Sequence, residues 1–480
     1  MAKLLGVDVG TSGCKAVLIN EKGRVLAQGA AGYPLHVPRP LWAEQDPASW
    51  WDGVQACLRQ VGEPKPDAIG LTGQMHGAVF LDARGEVVRP AILWCDQRTA
   101  AECALIDAMA GADRVRAITC NPPLTGFQTP KVLWMRRNEP ERFARVRSVL
   151  LPKDYVRLRL TGVSATEVSD ASGTGLFDVP RRRWSEELMR ALELDPDWFP
   201  PASESHVVAA RTNGSGGLSP GIPVVGGGGD QAAGAVGTGA VEPGVVSVSV
   251  GTSGVVFTAL DRPSFDPAGA AHTFCHANGA WHAMGVMLAC GGAVRWLRDA
   301  LYPGESYESV TAEASAAPAG CDGLTFLPYL TGERTPHNDP EARGVWAGLT
   351  LGHGRGHLAR AVFEGATFGL LDGMARLGAL GATASELRVT GGGAKSAFWM
   401  QMIADAFGKP CLALEADEGP AYGAAILAGV GAGAWPNVVE ACRATVRPKA
   451  RLTPSGTSYA GPVARFRALY PALKSWQTAS

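Results

Sequence analysis

The residues best suited to chemistry are carboxylates set among glycines. Asp8-Val-Gly-Thr-Ser-Gly13, with Lys15 just beyond, places a carboxylate at the end of an apolar run and follows it with a turn of small residues. Such a turn exposes consecutive backbone N–H groups that can cradle phosphate oxygens, and the Thr11 and Ser12 hydroxyls add donors. Lys15 supplies positive charge. Asp8 suits Mg²⁺ held through water, because Mg²⁺ prefers one or two carboxylates plus phosphate oxygens. The plain alternative is an ordinary β-turn with a surface aspartate. Against it stands a repeat: Val-Gly-Thr-Ser-Gly occupies 9–13 and again 250–254. Two such hairpins facing each other would clamp a polyphosphate from both sides. A second carboxylate, Asp230, follows four glycines, Gly226–Gly229. They make a loop that side chains do not obstruct, at the start of a helix expected over 231–239. Asp230 as a simple N-cap would contribute roughly 1 kcal/mol, but a cap does not need four glycines before it. The third candidate, Thr390-Gly-Gly-Gly-Ala-Lys-Ser396, joins an expected strand at Leu387–Val389 to an expected helix at Phe398–Phe407. Glycine-rich strand-to-helix turns serve nucleotide sites and also simple packing. Gly419–Ala425 opens another helix.

Other patterns carry less. No G-x-x-x-x-G-K-[ST] occurs, which excludes a P-loop, and no strict G-x-G-x-x-G occurs. Gly217-x-Ser219-x-Gly221 precedes a strand rather than joining strand to helix, so it is not a nucleophile elbow. His272-x3-His276 falls in an expected strand, where residues four apart lie ~13 Å from each other. His353-x3-His357 reads as loop. Trp42, Trp50 and Trp51 are read as core, with Trp42 in a Pro-rich loop that could line a pocket.

The elements that must position these groups follow from periodicity and turn residues. Leu4–Val9, Lys15–Ile19 and Val25–Gln28 read as an antiparallel meander turning at 10–13 and 21–23. Asp46 as N-cap and Pro47 at N1 open a helix over 47–61. Strands are expected at Ala68–Thr72, Val79–Leu81, Ile92–Trp94 and Ile222–Val225, and helices at Thr99–Ala110 and Pro130–Arg137. The second Val-Gly-Thr-Ser-Gly sits between Val245–Val250 and Val255–Ala259. Two copies of strand–turn–strand roughly 240 residues apart imply two similar lobes, divided as 1–245 and 246–480.

Composition sets the limits. At 480 residues the chain is long enough for two large domains. Forty-four basic and 45 acidic side chains give a net charge of −1, which argues against general nucleic-acid binding. Glycine supplies 61 of the residues, about 13% where ~7% is usual. No uncharged apolar stretch reaches the ~20 residues of a membrane span. The apolar run near the N-terminus is too short for a signal peptide. Ten scattered cysteines without C-x-x-C read as reduced thiols of a cytoplasmic protein.

Taken together, these segments resemble the FGGY carbohydrate kinases over nearly the whole chain, in particular those members acting on D-xylulose. Asp8–Gly13 is similar to the family's first phosphate hairpin. Trp42–Pro47, Gly73-Gln-Met-His-Gly77, Ile92–Arg98, Pro152-Lys-Asp-Tyr155 and Gly226–Gly234 are similar to its first-lobe motifs. Gly344-x-Trp346-x-Gly348-Leu349 with His357–Glu364 fits its C-terminal signature, and Gly391-Gly-Gly-Ala394 its adenosine motif. Gly73–Gly77 and Tyr329–His337 point most narrowly to the xylulose-specific members. Gln231, Cys95 and Gln128 depart from the usual pattern, the first two at positions that can adjust the sugar pocket. The resemblance implies an α/β fold of two ribonuclease-H-like lobes, as in actin-like ATPases, with an interlobe cleft. It implies transfer of phosphate from ATP to D-xylulose with Mg²⁺. By the same resemblance Asp230 is the base, Met75, His76, Asp230 and Gln231 meet the sugar, and Asp8 organises the metal. Thr11, Ser12, Lys15, Thr252, Gly291, Arg295, Gly392, Gly393 and Ser396 match ATP-contacting positions. The partners are then a small sugar and ATP, with no nucleic acid and no membrane, and with room for a homodimer. Another ketose or polyol as substrate, and an actin- or chaperone-like ATPase, are the alternatives.

Overall fold

The structure is a computed structural model describing residues 2–63, 65–415 and 419–477. Two α/β lobes share one plan. In the first, strands Leu4–Val9, Gly13–Ile19 and Val25–Gly32 form the expected antiparallel meander. Strand Ala68–Gly73 lies parallel to Leu4–Val9 on its other side. Pro223–Val225 and Gly228–Gly229 both run parallel to Ala68–Gly73. In the second lobe the hairpin Gly244–Val250 and Gly254–Leu260 pairs antiparallel, and Ala384–Thr390 lies parallel to Gly244–Val250. Each lobe therefore has a seven-stranded mixed sheet, with its Gly-Thr-Ser-Gly turn leaving a central strand beside a parallel neighbour.

The helix Pro47–Val61 forms as its residues dictate. Asp46 accepts from the Ala48 amide at 2.9 Å, Pro47 opens the first turn, and Gly62 closes the helix at φ 69°. Its buried face, including Trp50, Trp51, Val54 and Leu58, covers the first sheet. Several boundaries differ. The strand expected at Ile92–Trp94 is Ala91–Ile92 followed by a turn, and the helix expected from Pro130 begins at Gln128. Pro130 is tolerated there because first-turn amides have no helical acceptor. His357 lies in the first turn of helix Arg355–Ala379 rather than in a loop.

Helices do not sort between the lobes by sequence order. Helix Gly419–Gly431 lies across the first sheet. Gly6 and Gly70 are register partners on adjacent strands, and a Cβ on them would come within 1.8 Å of the Ala421 carbonyl oxygen and 2.0 Å of that of Ala424. This glycine notch lets helix backbone rest on sheet backbone. The same helix crosses Asp230–Thr238 at Gly423, where a Cβ would meet the Ala233 carbonyl oxygen at 1.7 Å. Val438–Thr445 completes the cluster. The second core gathers around helix Arg355–Ala379, with Phe466 and Tyr470 from helix Ala460–Gln477. No helix among the described residues is long and apolar enough to cross a membrane.

Candidate active site

Three parallel strands of the first sheet end side by side. Val9 is level with Gly73, and Gly73 with Gly229. The residues that follow are the first hairpin, Gln74-Met75-His76, and Asp230. Loops leaving the carboxyl ends of parallel strands are the usual place for ligands in α/β sheets.

Asp8 lies opposite Lys15 across the hairpin. Burial and the charge of Asp230 push its carboxyl up to about 7, against the opposing pull of Lys15. Its Oδ1 is buried without a hydrogen-bond partner among the described residues. A buried carboxylate oxygen with unused acceptor capacity, beside a phosphate-type turn, fits Mg²⁺ or its water. The turn is braced through its carbonyls. The Tyr33 hydroxyl donates to Gly10 O at 2.6 Å, Gln45 Nε2 to Thr11 O at 2.7 Å, and the Tyr33 amide to Ser12 O at 3.2 Å. Thr11 Oγ1 donates to Gln74 Oε1 at 3.2 Å and accepts from Trp94 Nε1 at 2.9 Å. Ser12 is exposed.

Met75 is buried and His76 partly so. His76 holds a left-handed backbone at φ 68°, costly for a non-glycine residue and sustained only by its surroundings. Those surroundings are Lys131 Nζ, which donates to His76 O at 2.8 Å, and Gln128 Nε2, which donates to Gly77 O at 3.0 Å. Burial pulls His76 down to about 3, helped by Lys131 and Arg334 and opposed by its bond to Gly173. The ring is thus neutral. Its Nδ1 lies 2.6 Å from Gly173 O, a contact only an N–H can make, so Nε2 is left as an acceptor. Phe127 stacks on the ring at 4.8 Å.

The four glycines before Asp230 are buried, and they serve packing rather than openness. A Cβ on Gly227 would come within 1.8 Å of Leu71 O, and one on Gly229 within 2.8 Å of Met75 Cγ. Asp230 is not the N-cap: Gly229 takes that position and Asp230 is the first helical residue. Burial pushes the Asp230 carboxyl up to about 6, with Gln231 drawing it back. Asp230 and Gln231 line a cleft of about 260 Å³ whose far wall is Ser249, Thr390 and Gly391 of the second sheet, with Pro420 beside them.

The second hairpin has another kind of brace. The amides of Gly291 and Gly292 donate to Gly251 O and Thr252 O at 2.7 and 2.9 Å, and Cys290 also donates to Thr252 O at 2.9 Å. The Gly291 amide is thereby committed to the protein. Arg295 donates to Thr252 Oγ1 at 3.3 Å, and both border a cavity of about 700 Å³ with Gly292 and Trp296. Gly393 packs against Val250, where a Cβ would approach to 2.3 Å, whereas Gly392 faces open space. Ser396 caps helix Ala397–Phe407 by accepting from the Trp399 amide at 3.3 Å. The fold thus gathers Asp8, Thr11, Ser12, Lys15, Met75, His76, Asp230 and Gln231 at one sheet edge. Thr252, Gly291, Arg295, Gly392, Gly393 and Ser396 lie at the matching edge of the other sheet.

Sequence reasoning did not single out Thr166–Thr174. Gly173 holds His76, and Ser169 Oγ accepts from the Gly229 amide at 3.1 Å. The available signal was its run of small polar and acidic residues, which resembles an ordinary helix cap.

Known protein families and solved structures match both lobes. The description "FGGY family of carbohydrate kinases, N-terminal domain" matches residues 3–237, and the corresponding C-terminal domain matches 246–432. The xylulose kinase of Escherichia coli (strain K12) is 43% identical over 446 residues, 91% of each chain. A solved xyloylose kinase from Brucella ovis is 38% identical with a TM-score of 0.93, covering 99% of this chain and 100% of that one. The xylulose kinase of Rhodospirillum rubrum is 32% identical with a TM-score of 0.92, at 99% and 100% coverage. The two lobes have the actin-like ATPase fold, and the chain belongs to the FGGY family of carbohydrate kinases.

Proposed function

We propose that the chain transfers the γ-phosphoryl group of ATP to the C5 hydroxyl of D-xylulose, giving D-xylulose 5-phosphate and ADP. The substrate follows from the relatives, which are xylulose kinases. The observation that carries the chemistry is the meeting of Asp230, Asp8 and the first hairpin at one sheet edge. His76 Nε2 accepts from a sugar hydroxyl, and Met75 forms the apolar floor. The Asp230 carboxylate takes the C5 hydroxyl proton as that oxygen bonds to the γ-phosphorus and the bond to ADP breaks. Loose phosphoryl transfer asks mainly for positioning and charge stabilisation. The first hairpin's amides and Lys15 hold phosphate from one side, and Thr252 and Arg295 from the other. Mg²⁺ would be held at Asp8, and when bound it neutralises phosphate charge. The Gly392 segment leaves room for the adenosine.

Asp230→Asn tests the reading. It should lower kcat at least ~10²-fold, the scale of a lost general base, while calorimetry still detects sugar binding. The wild-type kcat/KM should fall as pH drops through about 6, because a protonated Asp230 cannot accept the proton. Near-wild-type turnover by the variant would remove Asp230 from the chemistry. A coupled ADP-release assay with xylulose, ribulose and polyols fixes the acceptor.

A further inference from the structure

Apart from Gly173, which holds His76, the motif Pro152-Lys-Asp-Tyr155 and the segment Thr166–Thr174 have no task in the reaction as described, yet both lie directly behind the loop that presents Asp230. Lys153, Asp154, Arg157, Glu167 and Asp170 are all fully buried. Lys153 Nζ lies 2.7 Å from Asp154, 3.1 Å from Asp170 and 3.8 Å from Glu167. Burial pushes the Asp170 carboxyl up, though Lys153 draws it down. Lys153 and Arg157 thus share this pocket with three carboxyl groups, Arg157 lying 3.6 Å from Asp154. A buried ion cluster is poor evidence of stability by itself, because desolvation offsets much of the attraction. Here its outputs are directional. Arg157 donates to Val225 O at 2.7 Å and Gly226 O at 2.6 Å, fixing the start of the glycine loop. Glu167 accepts from the Ser169 amide at 2.8 Å, the Asp170 amide at 2.7 Å, Ser169 Oγ at 2.9 Å and Ser205 Oγ at 2.7 Å. With its proton committed to Glu167, Ser169 Oγ presents a lone pair to the Gly229 amide at 3.1 Å. Gly229 is the residue before Asp230.

We propose that Ser169, oriented by Glu167 on this buried ion cluster, is a positioning residue that fixes Asp230 through the Gly229 amide. The inference rests on the reading of Asp230 as the base. The same short segment holds His76 through Gly173 O, so one rigid piece sets both the proton acceptor and the sugar contact. A side chain at 229 would strike Met75, so Gly229 is held through its main chain, by pairing with Gly73 and by its amide on Ser169 Oγ.

The test is a double-mutant cycle in the full-length enzyme. Ser169→Ala should lower kcat about tenfold, which is about 1.4 kcal/mol, with xylulose KM within about twofold. Ser169→Cys, nearly isosteric but a weaker acceptor, should fall between wild type and alanine, and it serves if the alanine variant does not fold. In single-turnover measurements on the Asp230→Asn background, Ser169→Ala should cost nothing further, because a residue acting through Asp230 has nothing left to position. Equal losses in both backgrounds would mean general destabilisation and would overturn the proposal, as would an unchanged kcat in Ser169→Ala. Full activity in Asp230→Asn alone would instead overturn the assignment of the base.

Discussion

The two Gly-Thr-Ser-Gly turns share four residues and almost nothing else. The first closes over four residues, from Val9 to its partner Cys14. The second closes over three, because Val250 pairs with Gly254. Side chains from distant segments brace the first: Tyr33, Gln45 and Gln74, with Trp94 on Thr11. Gln45 Oε1 accepts from both Gln74 Nε2 and Trp50 Nε1, so this turn is joined to the segment that carries His76. The second is braced by main-chain amides at the start of helix Gly291–Leu301. Identical turns thus answer to different parts of the molecule. The first is tied to the segment that carries His76, while the second depends on how closely two backbones approach.

The sharpest way to break that contrast is Gly291→Ala. Its Cβ would sit 2.5 Å from Gly251 O, so hairpin and helix must part. A displacement of this kind costs kcat/KM for ATP about 10²-fold, with xylulose KM unchanged. A parallel rise in xylulose KM would show that the second turn is not independent. Next comes Gln74→Leu, which removes all three side-chain amide links, the one accepted from Thr11 Oγ1 and those donated to Gly10 O and Gln45 Oε1. It should raise the KM of sugar and of ATP together, by about tenfold in all. A change confined to ATP would detach the first turn from the sugar segment.

The smallest effect concerns stability. Asp8 is raised from 3.8 to about 7, so its contribution is full below the unfolded value and lost as pH rises through about 7. Without Mg²⁺ or nucleotide, Asp8→Asn should therefore melt above the wild type at pH 8. The gain should be on the order of 1–2 kcal/mol after allowance for partial exposure, and the difference should vanish near pH 4. An asparagine variant no more stable at pH 8 would mean that Asp8 already has a partner in the free enzyme.

Local signals made part of this legible. The meander, the Asp46-capped helix, the paired turns and the position of Asp230 follow from alternation, capping residues and a repeated motif. The four glycines read as an unobstructed loop, but Gly227 packs against the Leu71 carbonyl, which lies in another strand and leaves no local signal. Ser169 stayed hidden because its partner is 60 positions away, and a short polar run looks the same whether it caps a helix or steadies a loop. Helix Gly419–Gly431 is buried from Ala421 to Val430. A helix apolar all round offers no face by which periodicity could assign it to a neighbour.

That helix also bears on how the protein is made. The Tyr422 hydroxyl donates to Gly23 O at 2.8 Å across 399 positions of sequence, and the notch at Gly6 and Gly70 is filled only when the same helix arrives. At typical rates of synthesis, the wait between the emergence of the first sheet and of the segment that covers it is on the order of half a minute. During that interval one face of the nascent sheet has no native cover, and the strands that will carry the first phosphate turn lie open to chaperones or to other chains. Helix Gly419–Gly431 is thus the step that commits the first lobe.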